Sequence, residues 1–193
     1  MKIALIGYGK MGRAIDQLAQ AKGDEIVLRI GQDNTDDLTV DNLRQAEVAI
    51  EFSQPAAAVA NIRNCLEAGV PVVCGTTGWL DRLAEVSAAV EARQGAFFYA
   101  ANFSLGVNLF FALNRYLAEL MDHWDEYDVG VHEIHHRHKL DYPSGTGLVL
   151  AEAILDKLKR KEKWVTGPAG APAELGVSSQ RIGAVPGTHE VQY

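Results

Sequence analysis

Hydrophobic positions in the first hundred residues come in short dense runs of strand length, separated by amphipathic stretches. The runs are Lys2 to Gly7, Glu25 to Ile30, Glu47 to Phe52, Val70 to Cys74 and Ala96 to Ala100. Between them, Arg13 to Lys22, Ala56 to Ala68 and Leu80 to Arg93 repeat apolar side chains at helical spacing. Near-continuous apolar strands alternating with helices predict a parallel sheet covered on both faces. Pro55 suits the first turn of a helix, and Gly69 suits its C-terminal cap.

The pattern changes after residue 100. Val107 to Met121 predicts a long apolar helix, with Val107, Phe110, Leu113, Leu117 and Leu120 at spacings of three and four. A polar break follows, then a strand over Tyr127 to His136 and a helix from about Gly147 to Lys161. Gly167 to Ala173 reads as a loop, Val177 to Val185 as a strand, and Pro186-Gly187 as a hairpin turn into His189 to Tyr193. The chain stops inside that last strand, so the second domain is expected to be incomplete. The expected fold is α/β: a Rossmann-type parallel-sheet domain over residues 1–105, then an α+β domain with a mixed sheet over 106–193.

Composition narrows the function more by exclusion than by suggestion. With 48% hydrophobic and 22% charged residues in 193, the chain has ordinary globular character. A formal charge of −7 argues against nucleic acid as a partner. The N-terminal apolar run is too short to span a bilayer and lacks the features of a signal peptide, so no membrane partner and a cytoplasmic location are expected. Cys65 and Cys74 read as buried thiols on a helix and a strand, without a disulfide. Trp79, Trp124 and Trp164 read as packing residues, and the basic run from Lys157 to Lys163 as a complement to a helix dipole.

Gly7, Gly9 and Gly12 make G-x-G-x-x-G directly after the first strand and at the mouth of the first helix. Glycine there serves a tight turn, close backbone approach to a pyrophosphate, and close packing of helix on sheet. The helix N-terminus adds unpaired N–H groups and partial positive charge. The second strand ends Arg29-Ile30-Gly31-Gln32-Asp33, where Asp33 suits a ribose 2′-hydroxyl and Arg29 a 2′-phosphate, so NADH and NADPH both stand. Gly75-Thr76-Thr77-Gly78 follows the fourth strand, at the carboxyl edge where such sheets bind ligands. Thr77 equally suits a helix N-cap.

Five of the six histidines fall between residues 123 and 138. Strand alternation sends Glu133 and His135 to one face and His132 and His136 to the other. No cysteine or second carboxylate stands at zinc spacing, so no metal is expected. Lys139 and Asp141 follow at once, and Pro143-Ser144-Gly145-Thr146-Gly147 opens a helix. Small residues at a helix start make an anion seat, so the segment points to a carboxylate-bearing substrate with histidine as proton donor.

The stretch Glu133-Ile134-His135-His136-Arg137-His138-Lys139-Leu140-Asp141-Tyr142-Pro143-Ser144-Gly145-Thr146-Gly147 resembles the signature of the 4-hydroxy-tetrahydrodipicolinate reductase (dihydrodipicolinate reductase) family. Gly9-Lys10-Met11-Gly12-Arg13, Phe52-Ser53-Gln54-Pro55, Gly75-Thr76-Thr77-Gly78 and Asn102-Phe103-Ser104-Leu105-Gly106-Val107-Asn108 extend the likeness along the chain. Tyr142 and Gly147 depart from it, standing where alanine is commoner. The resemblance implies NADH- or NADPH-dependent reduction of a cyclic dicarboxylate to tetrahydrodipicolinate, in lysine and diaminopimelate biosynthesis. It implies His135 and Lys139 as the catalytic pair, and His136, Ser144, Gly145 and Thr146 as ligands of substrate carboxylates. It places the cofactor against Gly7, Tyr8, Gly9, Lys10, Met11 and Gly12, against Gly75, Thr76 and Thr77, and against Ala100, Ala101, Asn102 and Phe103. A homotetramer is implied as well. The rival readings are a related amino-acid dehydrogenase and a non-catalytic NAD(P)-sensing protein.

Overall fold

Both faces of the first strand are buried, which is why its sequence shows no alternation. In β1 (Lys2–Ile6), Ile3 and Leu5 join one apolar cluster while Ala4 and Ile6 join another on the opposite side. The computed structural model describes residues 1–193, which fall into two compact units, Met1–Phe103 and Ser104–Tyr193. In the first unit β1 is flanked by β2 (Glu25–Ile30) and β3 (Val48–Glu51), followed outward by β4 (Val72–Cys74) and β5 (Phe97–Tyr99). All pairings are parallel, in the order β2-β1-β3-β4-β5. The chain reverses its direction of travel across the sheet between β1 and β3, and open α/β sheets bind ligands at that switch point.

Helices α1 (Lys10–Ala21), α2 (Val40–Leu43), α3 (Pro55–Ala68) and α4 (Leu83–Arg93) connect the strands. Pro55 stands at the start of α3, and Gly69 ends it with φ +73, a left-handed conformation that glycine adopts without strain. Trp79, 2% exposed, meets Phe97 and Tyr99 edge-on. Burying each large side chain of this kind contributes roughly 1.5–3 kcal/mol. Cys65 and Cys74 are both buried and free.

The second unit runs α5 (Leu105–Met121), β6 (Gly130–His135), α6 (Gly145–Lys157), β7 (Lys163–Thr166), β8 (Glu174–Arg181) and β9 (Thr188–Gln192). Its sheet is mixed, in the order β7-β8-β6-β9, with β9 alone antiparallel. Pro186-Gly187 is therefore no hairpin turn: β6 lies between the two strands it joins. Strand β7 carries no alternation that marks it within the basic run, and Lys161 does not serve a helix dipole. Its ammonium is buried, 2.6 Å from Asp128 Oδ1 and 2.8 Å from the carbonyl oxygens of Pro172 and Glu174. Trp164 packs on the core, whereas Trp124 is exposed.

Helix α6 packs on this sheet, and α5 packs on α6. The inward face changes character along the strands. Val131 of β6 pairs with Val177 and Val191; two residues on, Glu133 pairs with Ser179 and His189; at the end His135 pairs with Arg181. An apolar floor thus gives way to a buried polar end.

Candidate active site

Gly7 and Gly12 are demanded by the protein itself. Gly7 has φ +95, and a Cβ there would lie 2.1 Å from the Phe52 carbonyl oxygen. A Cβ at Gly12 would lie 2.4 Å from the Gly7 carbonyl oxygen. Gly9 differs, because a Cβ there meets nothing within 4 Å. The amides of Gly7 and Tyr8 both donate to the Ile30 carbonyl, at 2.9 and 2.8 Å, tying the turn to the end of β2. Lys10 and Met11 are exposed on the first turn of α1, whose leading amides have no partner within the helix.

A cavity of about 1110 Å³ opens beside this turn, lined by Gly7, Tyr8, Gly9, Arg29, Asp33 and Phe52 among others. Asp33 is exposed on its rim. Arg29 lines the cavity but is committed to Asp16: Nε donates to Oδ2 at 2.8 Å and Nη2 to Oδ1 at 3.1 Å. Tyr8 and Gln20 also donate to Asp16, and these bonds, Arg29's first, hold its carboxyl far below the usual range. Asp16, a partner the strand pattern does not show, thus holds Arg29 in place at the cavity wall, with two of its five N–H donors uncommitted and its side chain 40% exposed.

The loop after β4 sits against Phe52, whose ring would be 2.2 Å from a Cβ on Gly75. Thr76 is buried and its hydroxyl has no hydrogen-bond partner. Thr77 is exposed and caps no helix, since the short turn beyond starts after Trp79. Glu51, fully buried beneath this edge, accepts from the Ser53 amide, the Asn61 side chain and Cys74 Sγ. Burial, with Glu51 beside it, pushes the Cys74 thiol up to about 12. Ala100, Ala101, Asn102 and Phe103 follow β5, where Phe103 rests against Phe52 and Phe98.

In the second unit, β6 delivers Glu133 and His135 to the buried face, as alternation predicts. Glu133 is the hub. The Ser144 amide donates to its two oxygens at 3.0 and 3.1 Å, and the Ser144 hydroxyl to Oε2. Burial works to raise the Glu133 carboxyl, but the Ser144 hydroxyl and amide hold it below its ordinary value. Ser144 is also the N-cap of α6, accepting from the Gly147 amide at 3.1 Å. Burial lowers His135, with Lys139 and Arg181 adding to it and Glu133 opposing. Its Nδ1, like that of His136, is buried without a hydrogen-bond partner.

Lys139 Nζ lies 2.9 Å from Asp141 Oδ1. Burial raises Asp141, yet the Lys139 bond and the Gly145 amide keep its carboxyl low. Gly145 and Thr146 open α6 directly after the Ser144 cap. Among the expected residues, His135, Lys139, Ser144, Gly145 and Thr146 therefore gather at the carboxyl end of β6.

Two members of this group come from distant chain. His189 of β9 has Nε2 3.0 Å from Ser144 Oγ and 3.5 Å from Glu133 Oε2, and its ring meets His135 edge-on. Arg181 donates to Glu133 from β8. Glu133, His135 and His189 bring one ligating atom each within 4.8 Å of one another, a spacing a metal ion can use. Here both oxygens of Glu133 already serve Arg181 and Ser144. No local spacing signals His189, because only antiparallel pairing of β9 on β6 puts it opposite Glu133.

Comparison with known proteins bears on both units. The profile described as "Dihydrodipicolinate reductase, N-terminus" matches residues 1–103, and its C-terminal counterpart matches 106–193. A 4-hydroxy-tetrahydrodipicolinate reductase of Christiangramia forsetii is 43% identical over the whole of this chain and 80% of its own length. One from Acinetobacter baumannii is 34% identical with the same coverage. A dipicolinate-bound dihydrodipicolinate reductase from Paenisporosarcina sp. TG-14 superposes with TM-score 0.72 at 20% identity. That likeness covers 99% of this chain and 82% of the other, and it concerns the fold. No helix is long and apolar enough to cross a membrane.

Proposed function

The chain belongs to the dihydrodipicolinate reductase family, and from that premise we propose that His135 and Lys139 perform its proton chemistry. The activity is NADH- or NADPH-dependent reduction of 4-hydroxy-tetrahydrodipicolinate to tetrahydrodipicolinate, in lysine and diaminopimelate biosynthesis. The observation carrying the assignment is the gathering of an acid/base histidine, an ammonium and a helix start at one end of β6.

The first unit fits a dinucleotide. Gly9 has no packing reason to be glycine, the leading amides of α1 lie beside the cavity, and Thr76 keeps a buried hydroxyl without a partner. When bound, the cofactor supplies a hydride. Gly7 to Gly12 would hold its pyrophosphate, Asp33 its ribose, and Gly75 to Thr77 with Ala100 to Phe103 its other half.

The second unit would take the substrate. A carboxylate would displace Asp141 from Lys139 and the Gly145 amide, with Thr146 and His136 completing the seat, while Ser144 would give up a bond to Glu133 to join it. The substrate's 4-hydroxyl leaves as water, hydride addition to the unsaturated ring that results builds negative charge on a ring atom, and a proton from His135 or Lys139 neutralises it. The outward sheet face, with His132 and Ser178 half-buried and Glu190 and Gln192 exposed, would build a homotetramer. The enzyme would work in the cytoplasm.

Replacing either His135 or Lys139 with alanine should lower kcat by about 10²–10⁴-fold while NADH affinity holds. Steady-state kinetics decides it. A His135→Ala enzyme retaining more than about a tenth of wild-type kcat overturns the assignment.

A further inference from the structure

Arg181 ends β8 opposite His135, with its side chain 9% exposed. A guanidinium carries five N–H donors. Here each one has an acceptor in the protein. Nε donates to the Lys139 carbonyl at 3.3 Å. Nη1 donates to Glu133 Oε1 at 3.4 Å and to the Gln180 carbonyl at 2.8 Å. Nη2 donates to Glu133 Oε1 at 3.3 Å and to the Asp141 carbonyl at 2.5 Å. Its flat face lies 3.9 Å from the centre of the Tyr142 ring.

A cation in a site for a dianion invites the role of carboxylate ligand. With every donor committed, Arg181 has none left to offer. What it grips is backbone at Lys139 and Asp141, the ring of Tyr142, and the carboxylate whose oxygens hold the Ser144 amide. One side chain thus joins the end of β6, the loop carrying Lys139 and the start of α6.

We propose that Arg181 is a positioning residue for the reduction, clamping the 139–142 loop against Glu133 so that Lys139 and the helix start are aligned before substrate arrives. The proposal rests on the roles given above to Lys139 and the anion seat. Lysine is no substitute, because an ammonium has three donors, no planar fork and no face to stack. Misplacement of catalytic groups by about 1 Å can cost about 10²-fold in rate.

The test compares the full-length wild type with Arg181→Ala, Arg181→Lys and Tyr142→Ala. It measures kcat, KM, NADH affinity, and calorimetric affinity for pyridine-2,6-dicarboxylate. Arg181→Ala should lose about 10²-fold in kcat with NADH affinity unchanged. Arg181→Lys should recover little of that loss, and Tyr142→Ala, which keeps all five donors, should lose less. If the alanine variant does not fold, Arg181→Lys carries the test, and near-wild-type kcat there overturns the proposal. So does a rise in KM and in dicarboxylate Kd with kcat unchanged, the signature of a direct substrate ligand. Wild-type dicarboxylate affinity that survives Lys139→Ala would instead strike the underlying reading of the seat.

Discussion

The two units build their sites from opposite materials. The first presents backbone: a turn where side chains are missing, and helix amides beside a cavity. Its buried polar groups, Asp16 and Glu51, brace the turn from behind. The second presents side chains, with a buried carboxylate gathering a serine, an arginine and a histidine from β8, β9 and the start of α6. All six histidines lie in the second unit and none in the first. A backbone site is made by neighbours in sequence, whereas a side-chain site is made by strand pairing. Mutations should accordingly separate function from stability in the first unit and entangle them in the second.

The largest expected effect tests that separation. Gly9→Leu should abolish NADH binding, read as lost fluorescence titration, while thermal stability stays near wild type, because a Cβ there meets no protein atom within 4 Å and the residue lines the open cavity. Gly12→Ala should do the reverse in emphasis, since its Cβ would strike the Gly7 carbonyl. Overpacking of this kind costs about 1–3 kcal/mol. Comparable melting losses in both variants would break the distinction.

Next comes the hub of the second unit. Glu133→Ala leaves Arg181 buried without its carboxylate and Ser144 without its acceptor. Losing one partner of a buried pair costs about 3–5 kcal/mol. Denaturant unfolding should show the loss, with amide exchange rising in β6 and α6 and hardly changing in the first unit. Uniform acceleration across both units would show that Glu133 is not a hub of the second unit alone.

The smallest effect is a response to acid. Burial lowers both His135 and His189, so the unfolded chain binds protons more readily than the folded one below about pH 6.5. The stability involved is present above that pH and is lost as pH falls through the depressed values. Glu133, also lowered, extends the loss further into acid. The first unit has no histidine, and its most depressed carboxyl, Asp16, stays ionised to far lower pH. Protection factors, with the intrinsic slowing of amide exchange in acid divided out, should fall in the second unit first between pH 7 and 5. Parallel behaviour of both units would remove histidine as the cause.

Local reading reached the turn at Gly7 to Gly12 and the segment Glu133 to Gly147, because each places its chemistry within fifteen residues of chain. It left Arg181 undecided between the active site and a bland strand position and did not reach His189, because the meaning of both depends on pairing with β6. It also misread Pro186-Gly187, because a turn dipeptide says that the chain bends and not which strand lies alongside. Nor does local spacing show that α1 brings Asp16 to Arg29.

By itself, then, the sequence determined the alternation of strand and helix, the glycine turn at the mouth of the first helix, the placing of Glu133 and His135 on one face, and the family. Those follow from periodicity, from glycine's missing side chain and from a contiguous motif. Only the tertiary structure decided that β6 lies between β8 and β9, and with it that Glu133 meets Arg181 and His189. The reason is physical: register across a sheet is a property of strands that meet only after the chain has folded, and one shared carboxylate then couples residues that no spacing connects.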